Sequence, residues 1–130
     1  MTNRARYALL TVRALWELAR YDLVNVTFGF KRMHRQLAAQ RPTKRACPSE
    51  IQKMVLDAVS LAGCFYYKPL LCLERSVVAA RLLRKAGVDA RLVIGYRPAP
   101  FLSHAWVEVD GRVVNDSQAY KERLQVLCSV

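Results

Sequence analysis

Three side chains in the second half of this sequence carry groups suited to covalent catalysis: the thiol of Cys72, the imidazole of His104 and the carboxylate of Asp116. A thiolate attacks an acyl carbon, an imidazole beside it manages the proton, and a carboxylate fixes the imidazole's orientation and tautomer. Each has a plainer reading when taken singly. A cysteine inside an apolar helix is usually a small core residue, a lone histidine is more often structural, and a strand-ending aspartate is usually a solvated charge. Position argues the other way. Pro69 suits the first position of a helix and so places Cys72 in its first turn, where unpaired amides and the positive end of the helix dipole favour a thiolate. His104 opens a strand in which Trp106 shares its face, so that the indole shields the imidazole from water.

The turn between the last two strands sets how His104 meets Asp116. A two-residue loop at Asp110-Gly111 turns Asp116 away from His104. A three-residue loop of Val109, Asp110 and Gly111, with a glycine bulge, puts the two directly opposite, with Cβ atoms about 5 Å apart. The three-residue register is the one expected.

The elements that must hold these groups follow from periodicity. Leu9, Val12, Trp16, Ala19, Leu23, Val26, Phe30, Met33 and Leu37 recur at steps of three and four, an amphipathic helical stripe. Gly29 and the β-branched Val24, Val26 and Thr27 predict two helices with a break between about residues 20 and 29. Residues 40–48 read as a loop. Ser49 caps a third helix striped by Ile51, Met54, Val55 and Ala58 and ended by Gly63. Pro69 opens a fourth, with Val78, Leu82 and Leu83, that stops at Gly87. The period then changes to two at Ala90, Leu92, Ile94 and Tyr96, is broken by Pro98 and Pro100, and resumes in a hairpin over 103–116. Helices followed by an antiparallel sheet predict an α+β fold in one domain over 1–130, with a helical region at 1–40 and a catalytic core at 69–117.

At 130 residues and 53% hydrophobic content the chain can bury one core and has little room for a second. The charge of +11 favours anionic partners. Its basic residues are scattered, so it does not by itself indicate nucleic acid. Arg6, Arg13 and Arg20, spaced by seven, lie along one helix face, solvated or available for docking. Arg4, Arg6, Arg13 and Glu17 interrupt the apolar N-terminus, so no signal peptide and no membrane span is expected, and the reading is a cytoplasmic protein with reduced thiols. No CxxC or HxxxH spacing supports a metal, and no cofactor is expected. Cys64 reads as a packed, inert thiol, Cys47 and Cys128 have no assigned role, and His34 sits among basic residues as a solvated side chain.

Segments 70–87 (LLCLERSVVAARLLRKAG), 90–95 (ARLVIG), 103–111 (SHAWVEVDG) and 114–116 (VND) together resemble the leader peptidases of lasso-peptide biosynthesis, bacterial proteins of the transglutaminase-like superfamily. The resemblance covers residues 69 to 117 specifically. It implies a cysteine peptidase with Cys72 as nucleophile, His104 as general base and Asp116 as orienting carboxylate; Trp106 and Leu71, close to these residues in the chain, are expected to contact substrate. It further implies a precursor peptide of leader and core as substrate, a separate leader-binding protein as partner, and an ATP-dependent lasso cyclase acting on the new amine. The Cys72 amide is a natural oxyanion donor, and no second donor is assigned. Two rivals remain: acyl transfer on the same triad, and a non-catalytic basic interaction protein.

Overall fold

The structure, a computed structural model, describes residues 3–40, 49–67, 71–116 and 118–130. Cys47 and Pro69 lie outside the described residues, as do the side chains of Phe30, Met33, His34, Ser49 and Cys128. Four helices come first: α1 (Asn3–Phe28), α2 (Phe30–Ala39), α3 (Ser49–Phe65) and α4 (Cys72–Lys85). Strands β1 (Ala90–Pro98), β2 (Phe101–Val109) and β3 (Arg112–Val113) follow, then a short α5 (Gln118–Arg123) and β4 (Gln125–Ser129). The sheet runs β3-β2-β1-β4, with antiparallel pairing throughout. This is the expected α+β order, with α5 and β4 added at the C-terminal end.

The sheet buries both faces. One, carrying Ala90, Leu92, Ala105 and Val107, packs on α4 and the other N-terminal helices in the main core. The opposite face carries Val93 and Trp106 and is covered by Leu124 and Tyr120 at the C-terminal end. His104 lies on this second face with Trp106.

The two expected N-terminal helices are present, with their break at the far end of the expected range, and the end of the third helix differs from expectation. α1 continues through Val24, Val26 and Thr27 and breaks only at Gly29, whose φ of 80° is the left-handed backbone a glycine adopts most easily. Burial of Tyr21 and Val24 in the core outweighs the weak helix propensity of the β-branched residues. Gly63 does not end α3, which runs on to Phe65. The stop at Gly87 holds. Its φ of 99° lets the Val88 amide reach the Leu83 carbonyl at 2.9 Å and the Gly87 amide reach that of Arg84 at 3.1 Å, while Val88 folds back into the core.

The larger correction concerns which face of α1 is inside. Its buried side is Thr11, Ala14, Glu17, Leu18, Tyr21 and Val24, and most of the predicted stripe points outward, with Trp16 69% and Val26 86% exposed. Among the described side chains of that stripe, only Leu37, on α2, is fully buried. A polar residue decides the inner face: the Glu17 carboxylate accepts from Arg81 Nε at 2.8 Å and Lys85 Nζ at 2.6 Å, tying α1 to α4. Burial alone would push this carboxyl up, but the hydrogen bonds and charges of Lys85 and Arg81 outweigh it and hold Glu17 below its ordinary value of 4.5. A carboxyl depressed in the folded state stabilises fully above its ordinary pKa and loses that stabilisation as pH falls through the lowered value. Glu17→Gln should therefore cost about 2–3 kcal/mol at neutral pH, less than a fully buried pair because Lys85 is half exposed. In denaturant titrations the mutant and wild type should converge under acid, and a gap independent of pH would refute the ion pair as its cause.

Arg84 was not anticipated as a fold determinant. It is 95% buried (5% exposed), donates from Nε to the Ala90 carbonyl and from Nη2 to the Val130 carbonyl, both at 2.8 Å, and from Nη1 to the Leu37 carbonyl. One guanidinium thus joins α2, α4, β1 and the last residue, and the first strand cannot shift along α4 without breaking it.

Candidate active site

α4 begins at Cys72 itself, because Leu71 is extended (φ −81°, ψ 160°) and serves as the N-cap. Pro69 itself lies outside the described residues, and Cys72 is thus the first residue of α4, where the fourth was expected. Its position among the unpaired amides of the first turn is closer to the helix end than periodicity alone suggests. The Cys72 thiol is unbonded and partly buried, against the edge of the main core. Cys64 is also unbonded but exposed on α3, which corrects its expected packing.

His104 and Asp116 are in contact. His104 Nε2 lies 2.7 Å from Asp116 Oδ2, with both side chains mostly buried. An ionised Asp116 holds the ring proton on Nε2, and the lone pair is left on Nδ1. The register that achieves this is not the expected one. Glu108 pairs with Val113 and Val109 with Arg112, so the loop is the two-residue Asp110-Gly111, with φ of 53° and 77°. Positive φ at both positions is the mark of the tight turn that matches strand twist. Asp116 reaches His104 nonetheless because β3 lasts only two residues. Past Val114, whose amide bonds the Val107 carbonyl at 3.0 Å, the Asn115 side chain takes the Val107 amide at 2.8 Å, and the chain leaves the ladder. Beyond the last paired rung, strand register no longer fixes which residues face each other.

The same Asn115 donates to Ser76 Oγ at 3.0 Å, and Ser76 Oγ donates to the Ala105 carbonyl at 3.2 Å. These bonds fix α4 against β2 next to His104. Farther along, Arg84 reaches Ala90, the partner of Val109, so α4 runs toward that end of β2 and its first turn points toward the His104 end. Cys72 stands four residues before Ser76 on the same helix face, about 6 Å back along the axis. From the same turn Arg75 comes within 3.6 Å of Asp116 Oδ2.

Two aromatic rings bracket the histidine. Tyr120 stacks on it with centroids 3.9 Å apart, a contact that went unread because the C-terminal helix itself was not predicted. Lys121 tethers that helix by donating to Glu108 Oε1 at 3.0 Å and to the Gly111 carbonyl. Trp106 is 6.4 Å away, fully buried, with its indole N–H on Glu108 Oε2 at 2.8 Å. It forms part of the floor beneath the imidazole, so the expected contact with substrate is corrected: Trp106 has no exposed surface to offer. Leu71, beside Cys72, is 68% exposed.

Gly95, paired with His104 across the strands, is what admits the indole. A Cβ there would lie 2.6 Å from Trp106 Cη2 and 3.0 Å from Leu124 Cβ. Gly95→Ala should cost about 1–3 kcal/mol and displace the floor under His104. A thermal melt unchanged within about 0.5 kcal/mol would show that the indole moves aside freely.

A family model described as the transglutaminase-like superfamily matches residues 8–129, and the chain belongs to that superfamily. The microcin J25-processing protein McjB of Escherichia coli is 44% identical over 59 residues, 45% of this chain. The matched part is 28% of that relative's length, so the similarity spans well under half of McjB. No solved structure matches the chain. Among the described residues no cluster of three metal-ligating side chains occurs, and no helix is long and apolar enough to cross a membrane.

Proposed function

We propose that this chain is a cysteine peptidase that cuts the leader from a ribosomally made lasso precursor peptide, with Cys72, His104 and Asp116 as its triad. The observation that carries this reading is the 2.7 Å contact of His104 with Asp116 beside the first turn of the helix that Cys72 opens. Similarity to a protein named for microcin J25 processing supports the substrate class.

The thiolate adds to the scissile carbonyl while the Cys72 amide faces the developing oxyanion. His104 Nδ1, protonated by the thiol, delivers that proton to the departing amine. Water, deprotonated by the same nitrogen, then attacks the thioester and releases the leader as a carboxylic acid. A separate cyclase consuming ATP would use the freed amine. The exposed apolar residues of α1, Leu9, Val12, Trp16, Leu23 and Val26, with exposed Arg6 and Arg13 on the neighbouring flank, support a protein partner such as the leader-binding protein.

Mass spectrometry of precursor peptide incubated with this protein and its leader-binding partner tests the reading. Two fragments whose masses sum to the precursor plus one water are expected. An amine adduct of the leader would instead establish acyl transfer, and intact peptide at long times would refute both.

A further inference from the structure

β2 has an open edge next to His104, and the direction of its backbone groups can be worked out. Val107 turns its C=O to Val114 and its N–H to Asn115, both on the side away from β1. In antiparallel strands the hydrogen-bonding side alternates residue by residue, so Ala105, Ser103 and Phe101 face outward while His104 and Trp106 face β1. The far side of β1 agrees: Leu92 exchanges both its bonds with Val130 there, which leaves the odd-numbered Gly95 turned toward His104. β3 pairs only with Glu108 and Val109. The Ala105 carbonyl is taken by Ser76. Ser103 is exposed, and among the described residues no strand lies against its outward N–H and C=O.

Cys72 comes to the same stretch. Ser76 sits at Ala105, and one helical turn back, about 6 Å, matches two strand residues of about 3.3 Å each. That carries the thiol alongside Ser103. Exposed Phe101, Leu102 and Leu71 flank the spot.

We propose that the peptide substrate binds as an added strand on the outer edge of β2, pairing its backbone with Ser103 and laying its side chains against Phe101, Leu102 and Leu71. The proposal rests on the peptidase reading and specifies how an extended chain is held in that site. Main-chain pairing supplies affinity whatever the sequence, and alternate side chains face the apolar residues. An edge of this kind, short and beside charged groups, invites one strand without inviting aggregation.

The probe is N-acetyl-trialanyl chloromethyl ketone, unmodified or carrying one N-methyl group on each alanine in turn, with alkylation of Cys72 followed by peptide mapping and iodoacetamide as a reagent lacking a backbone. Methylation at the residue that pairs with Ser103 should slow labelling at least about tenfold, the worth of one lost hydrogen bond with its steric clash, while methylation of an adjacent residue leaves it within about twofold. Ser103→Pro, which removes the outward N–H at an edge position that tolerates proline, should lower the peptidyl rate alike and spare the iodoacetamide rate. A flat response to methylation, or equal loss at neighbouring positions, overturns strand addition, and this result stands even if the proline variant does not fold. Equal iodoacetamide rates for Cys72 in wild type and His104→Ala would overturn the peptidase reading and the strand proposal with it.

Discussion

Cys72→Ala should abolish cleavage of precursor peptide, lowering kcat by at least about 10⁴-fold, some 5.5 kcal/mol of transition-state stabilisation. Removing the sulfur removes the bond that splits one difficult hydrolysis into two easier steps, and a methyl group cannot replace it. Stability should hardly change. The thiol is at the margin of the core and has no partner sulfur, so the cost is at most about 1.5 kcal/mol, well below the kinetic effect. The exposed Cys64 supplies an internal standard. In wild type, iodoacetamide should modify Cys72 faster than Cys64, and His104→Ala should slow only the former. Full cleavage by Cys72→Ala at the wild-type rate would remove the nucleophile assignment altogether.

Asp116→Asn is the second large effect, expected at about 10³–10⁴-fold in kcat, roughly 4–5.5 kcal/mol. The geometry explains why so small a change in shape acts so strongly. Asp116 Oδ2 can only accept, so it holds the proton on His104 Nε2 and leaves Nδ1 basic. An asparagine amide turned toward the ring donates instead, which moves the ring proton to Nδ1 and blocks the position that must receive the thiol's proton. Arg75, 3.6 Å from the same oxygen, favours the carboxylate, and a neutral amide leaves its charge unmatched. Tyr120 stacked on the ring opposes a flip that could exchange the two nitrogens. The readout is kcat against KM for the precursor, together with the pH dependence of kcat. A loss confined to KM, or activity within about threefold of wild type, would mean that Asp116 does not orient the histidine.

The local chemistry of these residues was readable from their neighbours in the chain. A cysteine in the first turn of a helix, a histidine on an alternating strand and the stop at Gly87 are all set by interactions within a few residues, and all three are present, whereas the turn at Asp110-Gly111 takes the two-residue form in place of the three-residue form expected. The α+β order followed in the same way, from the change of period after Gly87. The outcome at Asp116 was anticipated for a reason that does not hold: the carboxylate meets the imidazole because Asn115 ends the ladder, not because register carries it across.

Long-range packing decided the rest. Two faces of α1 compete for burial, one rich in large apolar residues and one holding Glu17, and hydropathy favours the wrong one. Only the approach of Arg81 and Lys85, more than sixty residues away, shows that a carboxylate belongs inside. Tyr120 reaches His104 through a helix too short to leave a periodic signal, and Trp106 is sealed off because Gly95 lies across from the histidine. Sequence by itself therefore determined which reactive groups this protein has and which elements carry them, since those depend on short-range backbone preferences. Tertiary structure alone determined which faces are covered and what encloses the imidazole, because burial is a property of partners that the chain brings together only when it folds.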